Sequence, residues 1–281
     1  MRVLTIARLT ILEASRRKLL LALAILTVLV IALTSWGFSR LPAMKNVTPA
    51  EVRLAASQLT ILVAFMFSGV LALGSTLVAA PAIASDIESG IALAMLPRPI
   101  RRSELLMGKW LGLAFLIALY AVGSGLLELL GIWLATNYLP PNPGATLVLV
   151  AAEGLVLMSL ALLLSTRMSP MTGGIIVLVL FFVAWIGGIA LAIGQVFNND
   201  TITNIGIGSR LLIPTDGLWH GALFYLEPSD VIAAARAAGR ARAGNPFFAD
   251  EPLPWTYIGW VVFWLVAVLG LANWSFGRRD L

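Results

Sequence analysis

Residues 172–197 read TGGIIVLVLFFVAWIGGIALAIGQVF, a run without a single charged side chain. The hydrocarbon core of a bilayer takes about 20 apolar residues of α-helix to cross. This run exceeds that length, so it predicts a transmembrane helix that tilts, breaks or projects from the bilayer. The whole chain agrees, because 59% of its 281 residues are hydrophobic and only 12% are charged, against about a quarter in soluble domains. The sequence predicts an integral membrane protein.

Five further apolar runs have the length of a membrane span. They predict an all-α integral membrane fold with six transmembrane helices in a single domain, residues 1–281, with the spans at 19–38, 54–80, 110–136, 145–166, 172–197 and 255–276. Pro81 is expected to end the second span, since proline removes a backbone donor. The first run could instead be the core of a secretory signal, although no small-x-small cleavage site follows it.

The charged residues, the single His and the lack of Cys limit the classes of function that this chain can have. The net charge is +5, but Lys and Arg lie at the ends of the apolar runs, where they anchor helices, so we expect no nucleic-acid binding. The chain has no Cys, which excludes disulfides and thiolate metal sites. His220 has no second His or Cys to complete a metal site.

Positive charge also predicts the orientation. With the N-terminus in the cytoplasm, twelve of the 19 Lys and Arg residues fall on the cytoplasmic side. Four of the other seven lie in the segment 198–254, and long segments are translocated largely regardless of charge. Both termini are therefore predicted to be cytoplasmic.

The segment 81–109 is the most strongly patterned polar stretch. Ser85 and Glu88 have the spacing of a capping box, which predicts a short helix that starts near Asp86. Pro97 and Pro99 would end it. A basic loop that contacts lipid headgroups has a similar composition, and that alternative stays open.

A second helix is predicted to follow these prolines. Ser103 and Glu104 are suited to its first turn, where an acidic side chain complements the helix dipole. Gly108 and Gly112 lie four residues apart near its start and would permit close approach of another helix.

The sequences DIESG at 86–90, RPIRRSE at 98–104 and GK at 108–109 together resemble the first cytoplasmic loop of ABC-2 type transporter permeases. The order of features is also similar to that family: a basic N-terminal interfacial helix at 1–18, six spans, the cytoplasmic loop at 81–109 and a long extracytoplasmic segment at 198–254. The sequence LIPTD at 212–216 is similar to a family element Asn-Pro-x-Asp, with Ile213 in place of Asn.

The resemblance implies that a coupling helix in the loop docks on a separate ATPase subunit. The residues implied in that contact are Asp86, Glu88, Arg98, Arg101, Arg102 and Glu104. The chain lacks the Gly-x-x-x-x-Gly-Lys-Ser/Thr phosphate-binding loop, so ATP and magnesium are expected in the partner, with no cofactor and no enzymatic activity in this chain. Pairing with a second copy or a paralogue, contact with membrane lipid, export, and a location in a prokaryotic plasma membrane are further expectations from the family.

The resemblance also implies a substrate pathway between the second and fifth spans of two subunits. Its expected lining is Phe65, Met66, Phe67, Phe181, Phe182 and Trp185, which favours a hydrophobic or amphipathic substrate. The glycines of these spans indicate either tight packing or flexibility. Glu128 and Glu153 lie inside the third and fourth runs and are hypothesised to serve a gate or a polar route, although hydrated or hydrogen-bonded acids without transport function are the alternative.

The outer segment is long enough to contain structure of its own. Thr215 or Asp216 is suited to cap a short helix through Tyr225, and a second helix is predicted from Ser229 to about Ala243. Two other function classes stay open: a non-transporting membrane scaffold or signalling partner of an ATPase, and an intramembrane enzyme. The chain has no His-Glu-x-x-His and no Gly-x-Ser-x-Gly motif to support the latter.

Overall fold

A computed structural model of the chain describes residues 2–16, 18–43, 47–90, 101–238 and 245–279, and every regular element in these ranges is an α-helix. The predicted all-α fold is therefore confirmed. The helices are α1 (Arg2–Ser15), α2 (Lys18–Ser39), α3 (Pro49–Ala79), α4 (Pro81–Glu88), α5 (Arg102–Thr136), α6 (Pro143–Ser165), α7 (Pro170–Val196), α8 (Asp200–Leu212), α9 (Thr215–Leu226), α10 (Ser229–Ala238) and α11 (Trp255–Gly277).

Six spans of sufficient length and apolarity are present: α2, α3 continued by α4, α5, α6, α7 and α11. They coincide with the six predicted runs, which confirms that architecture. Helix α5 begins at Arg102, eight residues before the apolar run, because polar groups extend it. The Glu104 carboxylate accepts a hydrogen bond from the Arg101 amide at 2.9 Å, which satisfies a donor that the helix start would leave unpaired.

The junction of α3 and α4 corrects one prediction. Helix α3 ends at Ala79, as Pro81 predicts, but Ala80 keeps helical angles and Pro81 starts α4 directly. The capping box predicted at Ser85 is wrong. Ser85 lies inside α4, where its hydroxyl donates to the Pro81 carbonyl one turn earlier, and the helix ends at Glu88 instead of beginning near Asp86.

Helix α6 lies at the centre of the bundle. It contacts α3, α5, α7, α9 and α11, and its Leu157, Met158 and Leu162 are fully buried. Gly154 lets neighbouring helices approach, because a Cβ there would lie 2.9 Å from Ile117 Cγ2 and 3.1 Å from Ser75 Oγ. Close packing of this kind holds helices together where lipid is as apolar as the side chains.

Helix α1 packs along the start of α5. Its face of Ala7, Thr10 and Ala14 is buried, and a Cβ at Gly112 would lie 2.6 Å from the Ala7 carbonyl oxygen. The predicted close helix contact at Gly108 and Gly112 is confirmed, with α1 as the partner. The position of α1 on a membrane surface stays a prediction.

The bundle has two ends, which we name by their contents. The terminal end carries α1, α4, the start of α5 and the last residue described, Arg279. The hairpin end carries the segment 198–254, whose first helix, α8, forms a hairpin with α7. Residues 91–100, which include Arg98, lie outside the described residues, as do residues 239–244.

Candidate functional sites at the two ends of the bundle

At the hairpin end, α8 runs back along α7 into the bundle. A Cβ at Gly194 would lie 2.6 Å from the Thr203 amide nitrogen, so this glycine permits the contact. The Ser209 hydroxyl near the end of α8 lies 3.5 Å from the Val183 carbonyl oxygen, which is about 20 Å along α7 from its last residue at 1.5 Å per residue. The sequence did not predict this returning helix, although Asn199 caps its start.

These contacts show how three glycines of the fifth span, α7, are used in the structure. Gly187 faces Ser209 of α8, Gly194 faces Thr203, and Gly188 faces the Asp216 carboxylate. The structure therefore uses these three positions for tight packing against the segment 200–216.

Helix α8 ends beside a buried charged cluster. Arg210 Nε donates to Asp216 Oδ2 at 2.5 Å, and His220 Nδ1 lies 3.0 Å from the Asp216 carbonyl oxygen and 3.4 Å from Oδ1. Burial would raise the pKa of Asp216, but the hydrogen bond and charge of His220 together with those of Arg210 outweigh it and hold the pKa below its usual value. Asp216 is therefore a buried carboxylate with two cationic or potentially cationic neighbours.

This cluster also corrects the predicted cap. The N-cap of α9 is Pro214, and neither Thr215 nor Asp216 caps the helix. The chain enters α9 through proline, so Asp216 falls in the first turn and its carboxylate is directed to Arg210 of α8. The predicted start of α10 at Ser229 is confirmed.

A cavity of about 530 Å³ opens next to the charged cluster. Arg210 and His220 line one side, and Arg236 of α10 lines another. Arg236 Nη2 donates to the Asp250 carbonyl oxygen at 2.5 Å, which ties α10 to the segment that leads into α11. The cavity has the size of small-molecule sites and mixed polar and apolar walls.

The two intramembrane acids lie on different helix contacts. Ser68 of α3 donates to Glu153 Oε1 at 2.8 Å, and Glu153 Oε2 is buried without a hydrogen-bond partner in the described structure. Thr34 of α2 donates to Glu128 Oε1 at 2.6 Å. Glu153 is only 2% exposed, and its helix α6 packs against α9, which carries Asp216 in its first turn. The structure thus places Glu153 on the contact between α6 and α3, and Glu128 on the contact between α5 and α2.

Phe65 and Trp185, two of the predicted pathway residues, meet in an aromatic cluster. Their ring centroids are 5.3 Å apart. Phe65 also lies 5.7 Å from the Trp219 ring of α9 and 5.2 Å, edge to face, from the Phe247 ring. Aromatic rings at these separations attract one another beyond simple burial. This cluster joins α3, α7 and α9 at the hairpin end.

The other four predicted pathway residues do not form one cluster, although the Phe181 and Phe182 rings meet edge to face with their centroids 5.4 Å apart. Met66 and Phe182 are exposed, at 58% and 56%. Phe67 stacks on Tyr120 with centroids 6.2 Å apart, and Phe181 belongs to the buried core. The structure does not bring these four side chains together with Phe65 and Trp185 within one subunit.

At the terminal end, two of the predicted docking residues, Asp86 and Arg102, are held by contacts within the chain. Asp86 is buried and forms an ion pair with Lys109 of α5, whose ammonium also donates to the Ala82 carbonyl. Arg102 Nη1 donates to carbonyl oxygens at the end of α11, including that of Arg279 at 2.7 Å. Lys109 is not among the predicted site residues, although it belongs to the Gly-Lys element at 108–109.

The remaining docking candidates differ in their exposure. Glu88 and Arg101 are exposed, while Glu104 is half-buried and lies 4.0 Å from Arg2. Arg98 lies outside the described residues. Exposed charges therefore lie on both sides of the segment 91–100 in the sequence, and the buried ion pair of Asp86 and Lys109 lies beside them.

Residues 4–281 match the profile of the ABC-2 family transporter proteins. The chain belongs to the ABC-2 transporter family. It is also 29% identical over 298 aligned positions to the probable ABC transporter permease protein NosY of Pseudomonas aeruginosa, a match that covers 99% of this chain and 98% of that protein.

Membership of the ABC-2 family agrees with the fold and with the resemblance of the loop. This family consists of permease subunits of ABC transporters, so the chain is a multi-pass transport subunit and works with an ATPase partner. In the part of the chain that the structure describes, no group of His, Cys, Asp and Glu side chains is arranged to hold a metal ion. The roles of individual residues stay predictions.

Proposed function

We propose that this ABC-2 permease exports a hydrophobic or amphipathic substrate, driven by ATP and magnesium in a separate ATPase that docks at the terminal end. The observation that carries the proposal is the arrangement of residues 81–90 and 101–109 at the terminal end. A buried ion pair between Asp86 and Lys109 fixes α4 on α5, while Glu88 and Arg101 are exposed beside it. Exposed charges beside a helix that is held in place by a buried ion pair suit a surface that receives movement from a partner.

Both termini lie in the cytoplasm of a prokaryotic cell in this proposal, and a second copy or a paralogue completes the pathway. Met66 of α3 and Phe182 of α7 support that arrangement, because both are large apolar side chains exposed on the two helices that would line it. The contact of Phe65 with Trp185 then closes the hairpin end within each subunit. Apolar and aromatic walls favour a substrate with apolar surface.

The docking proposal predicts a charge-reversal phenotype. Glu88→Lys combined with Arg101→Glu should lower the affinity of the ATPase at least tenfold and lower the ATP hydrolysis of the complex in proportion, because charge reversal turns attraction into repulsion at a contact. Co-purification from membranes and hydrolysis in lipid nanodiscs measure the two effects.

Arg53→Glu is the matched control, since Arg53 is exposed at the hairpin end and should leave both properties within twofold of wild type. Equal loss in the control variant would mean a general effect of charge. A permease that never retains an ATPase, or one that binds an ATPase but moves no amphiphile, would contradict the proposed function.

A further inference from the structure

The end of α8 creates a local problem for the backbone. The last carbonyl groups of an α-helix have no partners inside the helix, and α8 ends beside the middle of α7, where lipid offers no donors. Its last three carbonyls belong to Arg210, Leu211 and Leu212. Donors from another helix have to satisfy them.

Helix α11 supplies all three donors from one face. The Tyr257 hydroxyl donates to the Arg210 carbonyl at 3.1 Å. Trp260 Nε1 donates to the Leu211 carbonyl at 3.1 Å, and Trp264 Nε1 donates to the Leu212 carbonyl at 2.8 Å. We call these three bonds the aromatic ladder.

The spacing of the aromatic ladder explains its geometry. The donors stand at i, i+3 and i+7, which places them in one row on a helix. Each ring is held by its own bond to a successive carbonyl, so α8 cannot slide or rotate against α11 without loss of several bonds at once. The ladder therefore ties the returning helix to the first half of α11.

The opposite end of α11 is tied in the same chemical manner. Arg102 Nη1 donates to the carbonyls of Phe276 and Gly277 at 3.2 and 3.1 Å, where the negative end of the helix dipole favours a cation. Arg167 donates to the Ser275 hydroxyl and carbonyl at 3.0 and 2.9 Å. Arg102 is the first residue of α5 and directly follows the exposed Arg101.

Between these two ends, α11 has one buried face and one lipid-exposed face. Val261, Val268 and Ala272 are buried, whereas Val262, Phe263 and Val266 are exposed. The helix is about 34 Å long, from 23 residues at 1.5 Å each. It is thus a helix with one face exposed at the side of the bundle, held by side chain to backbone bonds at both ends.

We propose that α11 transmits movement from the proposed docking surface at Glu88 and Arg101 to the hairpin end. Arg102 is the positioning residue at one end of α11, and the aromatic ladder holds the other end. A displacement of the start of α5 moves α11, and the ladder carries α8 and the Asp216 cluster with it. The proposal rests on the proposed function, because an ATPase has to supply the displacement.

Because the chain contains no cysteine, thiol-reactive spin labels attach to it only at introduced cysteines. One spin-label pair joins α8 to α11, at Ile205→Cys and Leu271→Cys, and a second joins α8 to α3, at Ile205→Cys and Leu73→Cys; all three positions are exposed. Distances are measured by electron paramagnetic resonance on the permease–ATPase complex in nanodiscs, without nucleotide and after trapping with ATP and vanadate. We expect an unchanged α8–α11 distance and a changed α8–α3 distance.

The tested variant is Trp260→Phe with Trp264→Phe, which keeps an aromatic ring at each position and removes the two indole N–H donors. It should broaden the α8–α11 distribution without nucleotide and reduce the α8–α3 shift on trapping to less than half, with ATPase binding within twofold of wild type. Trp255→Phe with Trp274→Phe is the matched control, since both are exposed tryptophans of α11, and it should behave as wild type.

Two results would overturn the transmission role while the proposed function stands: a wild-type α8–α11 distance that shifts on trapping as much as the α8–α3 distance, or a ladder variant with wild-type distributions. Failure of any ATPase to bind would overturn the proposed function and the transmission together. The nucleotide-free α8–α11 distribution is also measured on the permease alone in nanodiscs, and that measurement tests the ladder without an ATPase.

Discussion

At the scale of single residues, the most consequential side chain is Asp216. It is 3% exposed and accepts a hydrogen bond from Arg210 across the junction between α8 and α9. Removal of one member of a buried ion pair is more harmful than replacement of both, because it leaves an unpaired charge. Asp216 thereby fixes the angle at which the chain turns back from α8 into α9.

Asp216→Asn should lower the stability of the hairpin end by about 2 kcal/mol, less than for a fully buried pair because Arg210 is partly exposed. The pKa of Asp216 is lowered in the folded protein, so its stabilisation is complete above the ordinary Asp pKa of about 3.9 and is lost as pH falls through the lower folded value. Thermal unfolding in detergent between pH 3 and 7 measures both effects.

The exposed Asp200 provides the control for that measurement. Asp200→Asn should keep the acid-dependent loss of stability, whereas Asp216→Asn should reduce it. A variant at Asp216 with the wild-type melting temperature at neutral pH would contradict the structural role of the ion pair.

At the scale of helices, glycines decide which elements touch. Gly112 admits α1 against α5, and Gly194 and Gly206 admit α8 against α7. In each case a side chain would meet backbone atoms of the partner, which cannot rotate away as a side chain can. The glycines of this chain therefore specify two helix pairs that hydropathy alone does not indicate.

Gly112→Leu should displace α1 from α5, at a cost of about 1–3 kcal/mol, because overpacking forces backbone shifts. Gly123→Leu on the same helix is the matched control, since nothing lies within 4 Å of a Cβ at that position. A spin label at the buried Ala14 should become mobile only in the Gly112 variant. Equal mobility in both variants would show that α1 is not held by this contact.

At the scale of the whole molecule, charge is divided between the two ends, with buried acids between them. Glu153 is one of the buried side chains with an oxygen that has no hydrogen-bond partner in the described structure, and its helix α6 packs against α9, which carries Asp216. A buried polar group without a partner costs free energy, and an acid inside a membrane span is by default a candidate for a functional site.

Glu153→Gln should therefore reduce transport at least fivefold with normal expression and normal ATPase binding. The measurement is efflux of a fluorescent amphiphile from proteoliposomes that contain the permease–ATPase complex. Ser68→Ala removes the donor to Glu153 and should give a smaller reduction. Unchanged efflux in both Glu153→Gln and Glu128→Gln would contradict a role for these acids in the gate.

The sequence by itself determined the six spans, the membrane class and the family, because a run of about 20 apolar residues is a local property that needs no partner to define it. It misplaced the helix near Ser85, since a capping box has the same spacing as two residues inside a helix that starts earlier. Only the tertiary structure decided that α8 returns along α7, that Arg210 pairs with Asp216, and that Trp264 reaches Leu212. These contacts depend on which helix faces meet across distant parts of the chain, and satisfaction of buried backbone and charged groups selects them after the spans have assembled.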